Sequence, residues 1–355
     1  MRLFKWIIKL VLGLAALCVV AAACFIAYLT IFEYNPDDVE EIVNLTNGEE
    51  TLAAGASLDI MAYNIGYAAL DKTADFFMDG GKGVMPDNED IVKNNMEGIL
   101  GIINDNPADI YLLQEVDTDS KRSYNINQRT YFADSLELGS AFALNFSCKY
   151  VPYPLPTIGK VESGLLTMTD ISVSESERVS LPVPFSWPVR VANLKRCMLV
   201  SRIAIEDSDK ELFIVNLHLE AYDDGEGKAE QTEILMNFLI SEYEKGNYVI
   251  AGGDFNQNFP SVPDDLYPIM DSSGWKPREL EEDMLPEGWA FAVDYSSPTC
   301  RLLDKPYSGD SGNTQFFVID GFIVSPNIGV TAVTTLDYDF EYSDHNPVML
   351  SITLY

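Results

Sequence analysis

Five times along this chain an apolar run ends in polar side chains suited to chemistry. MAYNIG delivers Asn64, LLQEVD Glu115, IVNLHLEAY Asn216 and His218, VIAGGDFNQN Asp254 and Asn256, and FFVIDGF Asp320. A sixth element, EYSDHNPV, sets Asp344 and His345 just ahead of the last apolar run. A strand that finishes in such residues carries them to the rim of a sheet, where loop-built sites form. Carboxylates and amides offer hard oxygen donors, and imidazole exchanges protons near neutral pH. The chain has only two histidines, and both fall in these elements. Taken singly, each residue has a bland reading, since Asn beside Gly holds turns and acids cap loops. Taken together, all the bland readings must hold at once.

The elements that must position these residues are mostly strands. Apolar runs predict strands at 57–66, 109–116, 140–146, 164–169, 197–205, 211–219, 248–252, 316–324, 330–335 and 348–354. Helical spacing appears at Glu89–Asn104, through Ile91, Ile99, Ile102 and Ile103, and at Glu230–Lys245, which Gly246 closes. Strands outnumber helices, and only some strand pairs have a helix between them. That pattern predicts an α/β (α+β) four-layer sandwich: two packed mixed sheets flanked by helices, rather than a doubly wound parallel sheet. No linker divides residues 57–355, which read as one domain. Residues 33–56, acidic and turn-rich, read as a stalk.

Ahead of the stalk, Leu10–Phe32 carries no charge over 23 residues. As a helix it spans about 35 Å, enough to cross a bilayer. Apolar sequence continues past Ala21-Ala22-Ala23-Cys24, which favours an uncut anchor over a cleaved leader. Arg2, Lys5 and Lys9 on its N-terminal flank predict that this end stays cytoplasmic and that residues 33–355 lie outside. Net charge is −32, and −35 once the basic N-terminal segment is set aside. Such a surface excludes a nucleic-acid-coating protein, whose affinity comes from Lys and Arg neutralising phosphates. Outside the anchor only Cys148, Cys197 and Cys300 remain, an odd number without CxxC spacing, read as buried free thiols.

In this order, YNIG, QEVD, NLHL, GGDFN, a strand-borne IDG and a terminal SDHNPV resemble the endonuclease/exonuclease/phosphatase superfamily. Its relatives include pancreatic-type deoxyribonuclease, abasic-site endonucleases, neutral sphingomyelinases and inositol-polyphosphate phosphatases. The resemblance covers about residues 57–355 and is greatest to bacterial membrane-anchored members, which share an insert like FFMDGGK at 76–82. It implies phosphoester hydrolysis by water with a divalent cation, Mg²⁺ or else Mn²⁺ or Ca²⁺. Glu115 matches the metal-binding carboxylate, Asn64 the amide beside it, and Asp344 joins the metal shell. His345 matches the histidine paired with a carboxylate, here Asp320, and serves as base or as phosphate ligand. Asp254 and Asn256 match the pair that orients water and donates to the phosphorane, and His218 matches the second histidine. Arg122, Asn145 and Lys149 are expected substrate contacts. The acidic run 223–226 lacks the spacing of a calcium loop and reads as solvated.

The sequence therefore predicts a monomeric, membrane-anchored, extracytoplasmic phosphoesterase acting on a lipid head group or a small nucleotide. An extracellular endonuclease of the same fold is the first alternative. A non-catalytic anchored binding module is the second, and it would show loss of Glu115, Asp254, Asn256 or His345; all four are present.

Overall fold

A computed structural model describes residues 2–44, 48–223, 225–272 and 274–355. In chain order the elements are α1 (Arg2–Ile31), β1 (Val39–Glu41), β2 (Ser57–Asn64), α2 (Glu89–Asp105), β3 (Ile110–Asp117), α3 (Gln128–Leu136) and β4 (Gly139–Val151). β5 (Gly159–Thr169), β6 (Glu175–Ser180), β7 (Cys197–Ala204), β8 (Glu211–His218), α4 (Glu226–Glu244) and β9 (Tyr248–Asp254) follow. The last third holds the short β10 (Gln257–Asn258), β11 (Arg278–Glu279), β12 (Ala290–Ala292), β13 (Cys300–Arg301) and β14 (Phe316–Phe317). It closes with β15 (Asp320–Val324), β16 (Ile328–Thr335) and β17 (Val348–Leu354).

Two large sheets result, one of seven strands in the order β1-β6-β7-β8-β9-β15-β12 and one of six in the order β16-β17-β2-β3-β5-β4. Each contains one parallel pair, β8–β9 and β2–β3, bridged in sequence by α4 and by α2. A parallel pair needs such a crossover, so the two helices in the sequence go where topology requires them. The apolar inner faces meet through Ile60 and Leu112 on one side and Ile214, Ile250 and Phe322 on the other. Outside the six-stranded sheet, Val92, Met96 and Ile99 of α2 and Phe132 of α3 cover Met61, Tyr63 and Leu113. Outside the other, Leu235 and Leu239 of α4 cover Val215 and Val249. Each fully buried aliphatic or aromatic side chain adds about 1.5–3 kcal/mol. The mixed α/β sandwich of four layers is the architecture the sequence predicts.

Differences from the sequence reading have local causes. Asn88 caps α2 by accepting from the Ile91 N–H at 3.2 Å, so that helix begins where expected. α4 starts one turn early, because Gly225 (φ 102) turns the chain and Asp223 accepts from the Lys228 N–H; Asp224, in the expected loop, lies outside the described residues. The single strand expected at 316–324 is two. Thr299 Oγ1 accepts from the N–H groups of Ile319 and Asp320, breaking the run so that β14 pairs β13 while β15 pairs β9. α3 and β6 carry too little apolar periodicity to be read from sequence.

The expected stalk is not free either, although residues 45–47 fall outside the described ones. Val39–Glu41 forms β1 on the edge of β6, Leu52 is buried in the core, and Glu33 pairs with Arg190 and Lys195. α1 is long and apolar enough to cross a membrane, and its last turns lie against the domain. Phe25 meets Tyr150 edge to face, and Trp187 Nε1 donates to Thr30 Oγ1 at 3.0 Å.

Candidate active site

The parallel pairs put their C-terminal ends at one rim of the sandwich. Asn64 ends β2, Glu115 lies near the end of β3, His218 ends β8 and Asp254 ends β9. The antiparallel neighbours begin at that rim, so Asp320 opens β15 opposite Asp254, and Asp344 and His345 precede β17. Ligands of open α/β sheets bind outside the carboxyl ends of the strands, and the same geometry holds here.

Backbone detail aims the side chains. Glu115 has φ 56 at a bulge where the β3–β5 register slips, and Asn256 has φ 51 just past β9. Left-handed backbone at a non-glycine residue costs of order 1–3 kcal/mol, which surrounding structure must over-determine. Gly253 is bound to its type: φ is 139, and a Cβ there would lie 2.1 Å from the Leu217 carbonyl oxygen.

A continuous hydrogen-bonded set results. Asn64 Nδ2 donates to Asp254 Oδ2 at 3.0 Å and lies 3.4 Å from both Glu115 Oε1 and His345 Nε2. His345 Nδ1 is 2.8 Å from Asp320 Oδ2. His218 Nε2 is 3.3 Å from Asp254 Oδ2, and Asp254 Oδ1 accepts from the Asn256 N–H at 2.8 Å. Asn256 Nδ2 donates to the Leu219 carbonyl.

The two histidines sit in opposite electrostatic settings. Burial opposes charging His345, but Asp320 overrides it and holds the imidazole well above its usual range. His218 is driven well below that range by burial, with Arg196 and His345 adding to the effect. Burial and the nearby Asp320 raise Asp254 to about 7. Burial also raises Asp344 to about 7, with Glu115 and Asp79 repelling its charge. At neutral pH the rim thus combines a charged imidazole, a neutral one and carboxyl groups that exchange protons easily.

The acidic side of the rim fits a hard cation. Glu115, Asp344 and Asp79 all line the cleft, where Glu115 and Asp79 repel the Asp344 charge, and oxygen donors of this kind suit Mg²⁺ or its like. Asn64 Oδ1 accepts from the Gly66 N–H at 3.1 Å, which turns Nδ2 toward the carboxylates. It acts as a brace for Asp254 and Glu115. Asp254, Asp320 and His345 also bring ligand atoms within 4.8 Å of one another. Within that buried triplet the His345–Asp320 hydrogen bond engages Nδ1, and Nε2 lies 3.8 Å from Asp254 Oδ2.

The expected substrate contacts divide. Arg122 is fixed by two hydrogen bonds to Asp117 (3.1 and 2.9 Å), stacks 3.6 Å from the Tyr67 ring centroid and lines the cleft. Asn145 sits at a bulge in β4 and lines it too. Lys149, between Cys148 and Tyr150 on the same strand, is exposed and does not. Asn216 is likewise no site residue: fully buried, it ties the sheets together by donating to Leu113 and Leu166 carbonyls and accepting from Gln114 Nε2.

Two further groups at the rim carry no strand-end signature in the sequence. Arg196 stands immediately before β7, and its Nε and Nη1 are buried without hydrogen-bond partners 3.6 Å or more from Glu220. β7 runs antiparallel to β8, so its start shares the rim with His218; attention to strand starts as well as ends finds it. Asp79, in the 76–82 insert, accepts from Tyr222 Oη at 2.8 Å and lines the same cleft. The cleft opens into a cavity of about 1000 Å³ that runs from these polar groups to the last turns of α1.

No protein-family model and no curated protein matches the chain. Solved structures do. An endonuclease/exonuclease/phosphatase from Beutenbergia cavernae DSM 12333 superposes with a TM-score of 0.59 at 18% identity, over 84% of this chain and 72% of that one. One from Bacteroides vulgatus gives 0.53 at 17%, over 84% and 100%. ANGEL2, a 2′,3′-cyclic phosphatase, gives 0.53 at 15%, over 89% and 98%. The two paired β-α-β units, the strand-end carboxylates at their shared rim and these superpositions agree that the chain has the endonuclease/exonuclease/phosphatase fold.

Proposed function

We propose that the protein is a divalent-metal-dependent phosphoesterase, anchored by α1 with residues 33–355 outside the cytoplasm. The observation that carries the reading is the convergence of His345–Asp320, Asp254, His218 and Glu115 from two sheets on one rim. Phosphoryl transfer asks for donors toward developing negative charge, a proton acceptor for water and a cation. Here charged His345, fixed by Asp320, and neutral His218 supply donors, with Arg122 alongside. Asp254, braced by Asn64 and the Asn256 N–H, orients water and accepts its proton as the oxygen attacks phosphorus. Glu115 and Asp344 would hold the cation, which when bound neutralises phosphoryl and leaving-group charge. Superposition on a protein named a cyclic phosphatase supports phosphoester chemistry. The net charge of −32 disfavours long nucleic acid as substrate. The basic flank Arg2, Lys5 and Lys9 supports the orientation.

The test is hydrolysis of bis-p-nitrophenyl phosphate by the full chain in detergent, with Mg²⁺, with Mn²⁺ and with chelator. Chelator-sensitive turnover is expected, abolished in Glu115→Gln and reduced by about 10²–10⁴-fold in His345→Ala. Equal turnover in wild type and both variants sinks the assignment.

A further inference from the structure

The cavity joins two chemistries. One end holds the polar rim; the other is walled by Phe25, Ile26 and Leu29 of α1 facing Phe146, Val151 and Val191 of the domain. At about 1000 Å³ it lies at the top of the range for ligand pockets, roughly 300–1,000 Å³. A phosphoryl group fills only the polar end, so the apolar end calls for an apolar part of the same molecule.

The surroundings place that apolar end at bilayer depth. Phe25 to Leu29 belong to the uncharged stretch Leu10–Phe32, within its last third. Around them the domain exposes Tyr153, Leu155, Trp187 and Val189, the latter two between 56% and 58% exposed. Aromatic and aliphatic side chains beside a spanning helix mark the membrane interface. Three contacts keep helix and domain in register there: Trp187 on Thr30, and Arg190 and Lys195 on Glu33. At the polar end Arg196 lines the cavity, ion-paired to the buried Glu220 at 3.6 Å, with Nε and Nη1 both free of hydrogen bonds and so able to donate to an anionic oxygen.

We infer that the substrate is an amphiphile, a phosphoester bearing a hydrocarbon chain, drawn from the leaflet on the domain's side. Its phosphate lies at the rim near Arg196, and its chain lies along α1 in the apolar half. The inference rests on the phosphoesterase reading and deepens it. Anchoring is then more than tethering, because α1 forms one wall of the substrate site.

The test uses the full chain in nonionic detergent with Mg²⁺ and a series of butyl, octyl and dodecyl p-nitrophenyl phosphates. Each buried methylene is worth up to about fourfold in affinity, so kcat/KM is expected to rise about 10-fold or more from butyl to octyl. Ala22 of α1 also lines the cavity, and Ala22→Trp, which adds bulk there without charge, is expected to flatten that rise relative to the butyl ester in the same variant. A flat series in the wild type overturns the inference while leaving the phosphoesterase reading intact. A rise kept unchanged in Ala22→Trp assigns it to micelle partitioning and also overturns the inference. No turnover of any ester, butyl included, fells the phosphoesterase reading and the inference together.

Discussion

Asn216→Ala probes the tie between the sheets that the site depends on. The side chain is fully buried on β8, in the seven-stranded sheet. Its Nδ2 donates to the carbonyls of Leu113 (3.2 Å) and Leu166 (3.1 Å), both in the six-stranded sheet, and its Oδ1 accepts from Gln114 Nε2 at 2.8 Å. Gln114 Nε2 keeps a second acceptor, the Leu112 carbonyl at 2.9 Å. Truncation therefore removes three buried hydrogen bonds, leaving two carbonyls and one amide each a partner short. At about 1–3 kcal/mol for each buried group left unmade, the expected loss is roughly 3–5 kcal/mol. Urea unfolding read by tryptophan fluorescence and far-UV dichroism gives this loss as a shifted midpoint at unchanged slope. Leu113 and Gln114 lead directly to Glu115, so turnover is expected to fall alongside stability, even at temperatures where the variant stays folded. A loss below about 1 kcal/mol would show that water or relaxation satisfies the carbonyls, and would refute the tie.

Burial raises the thiols of Cys148 and Cys197, the latter to about 11, and Cys300 to about 12. In the folded protein these three are expected to resist iodoacetamide at pH 8 and to react fully in urea; rapid labelling of the native chain would contradict that. Asp254 and Asp344 bind protons more tightly folded than unfolded, so without cation stability falls as pH rises from about 4 through 7. Mg²⁺ should recover more melting temperature at pH 8 than at pH 5; an equal gain at both would remove Asp344 from the cation's surroundings.

Strand-end chemistry was the legible part of this sequence. A strand's polarity is a matter of its own residues, so Asn64, Glu115, His218, Asp254 and Asp320 stand out without any partner being known. What each residue touches is not local. Asn216 carries the same signature as His218 two positions on, yet alternation along the strand turns both inward at different depths, one into the sheet interface and one into the cleft. Arg196 and Asp79 act at the rim through packing of distant segments, which leaves no mark on neighbouring residues. Asn64 stands out at a strand end, but which end of its amide faces the carboxylates depends on the Gly66 N–H. Lys149 offers a charge suited to phosphate, and only the path of β4 shows that it points to solvent. Residues 33–56 read as a stalk because a short edge strand such as β1 carries no apolar pattern.

Each large sheet brings its own parallel pair and its own share of the rim. A chain in which only one half has condensed holds either Glu115 or the Asp254–His218 pair, never both. Whatever turnover the rim supports therefore switches on with the closing of the sandwich. A chain still unfolded, on its way to wherever it works, is chemically silent.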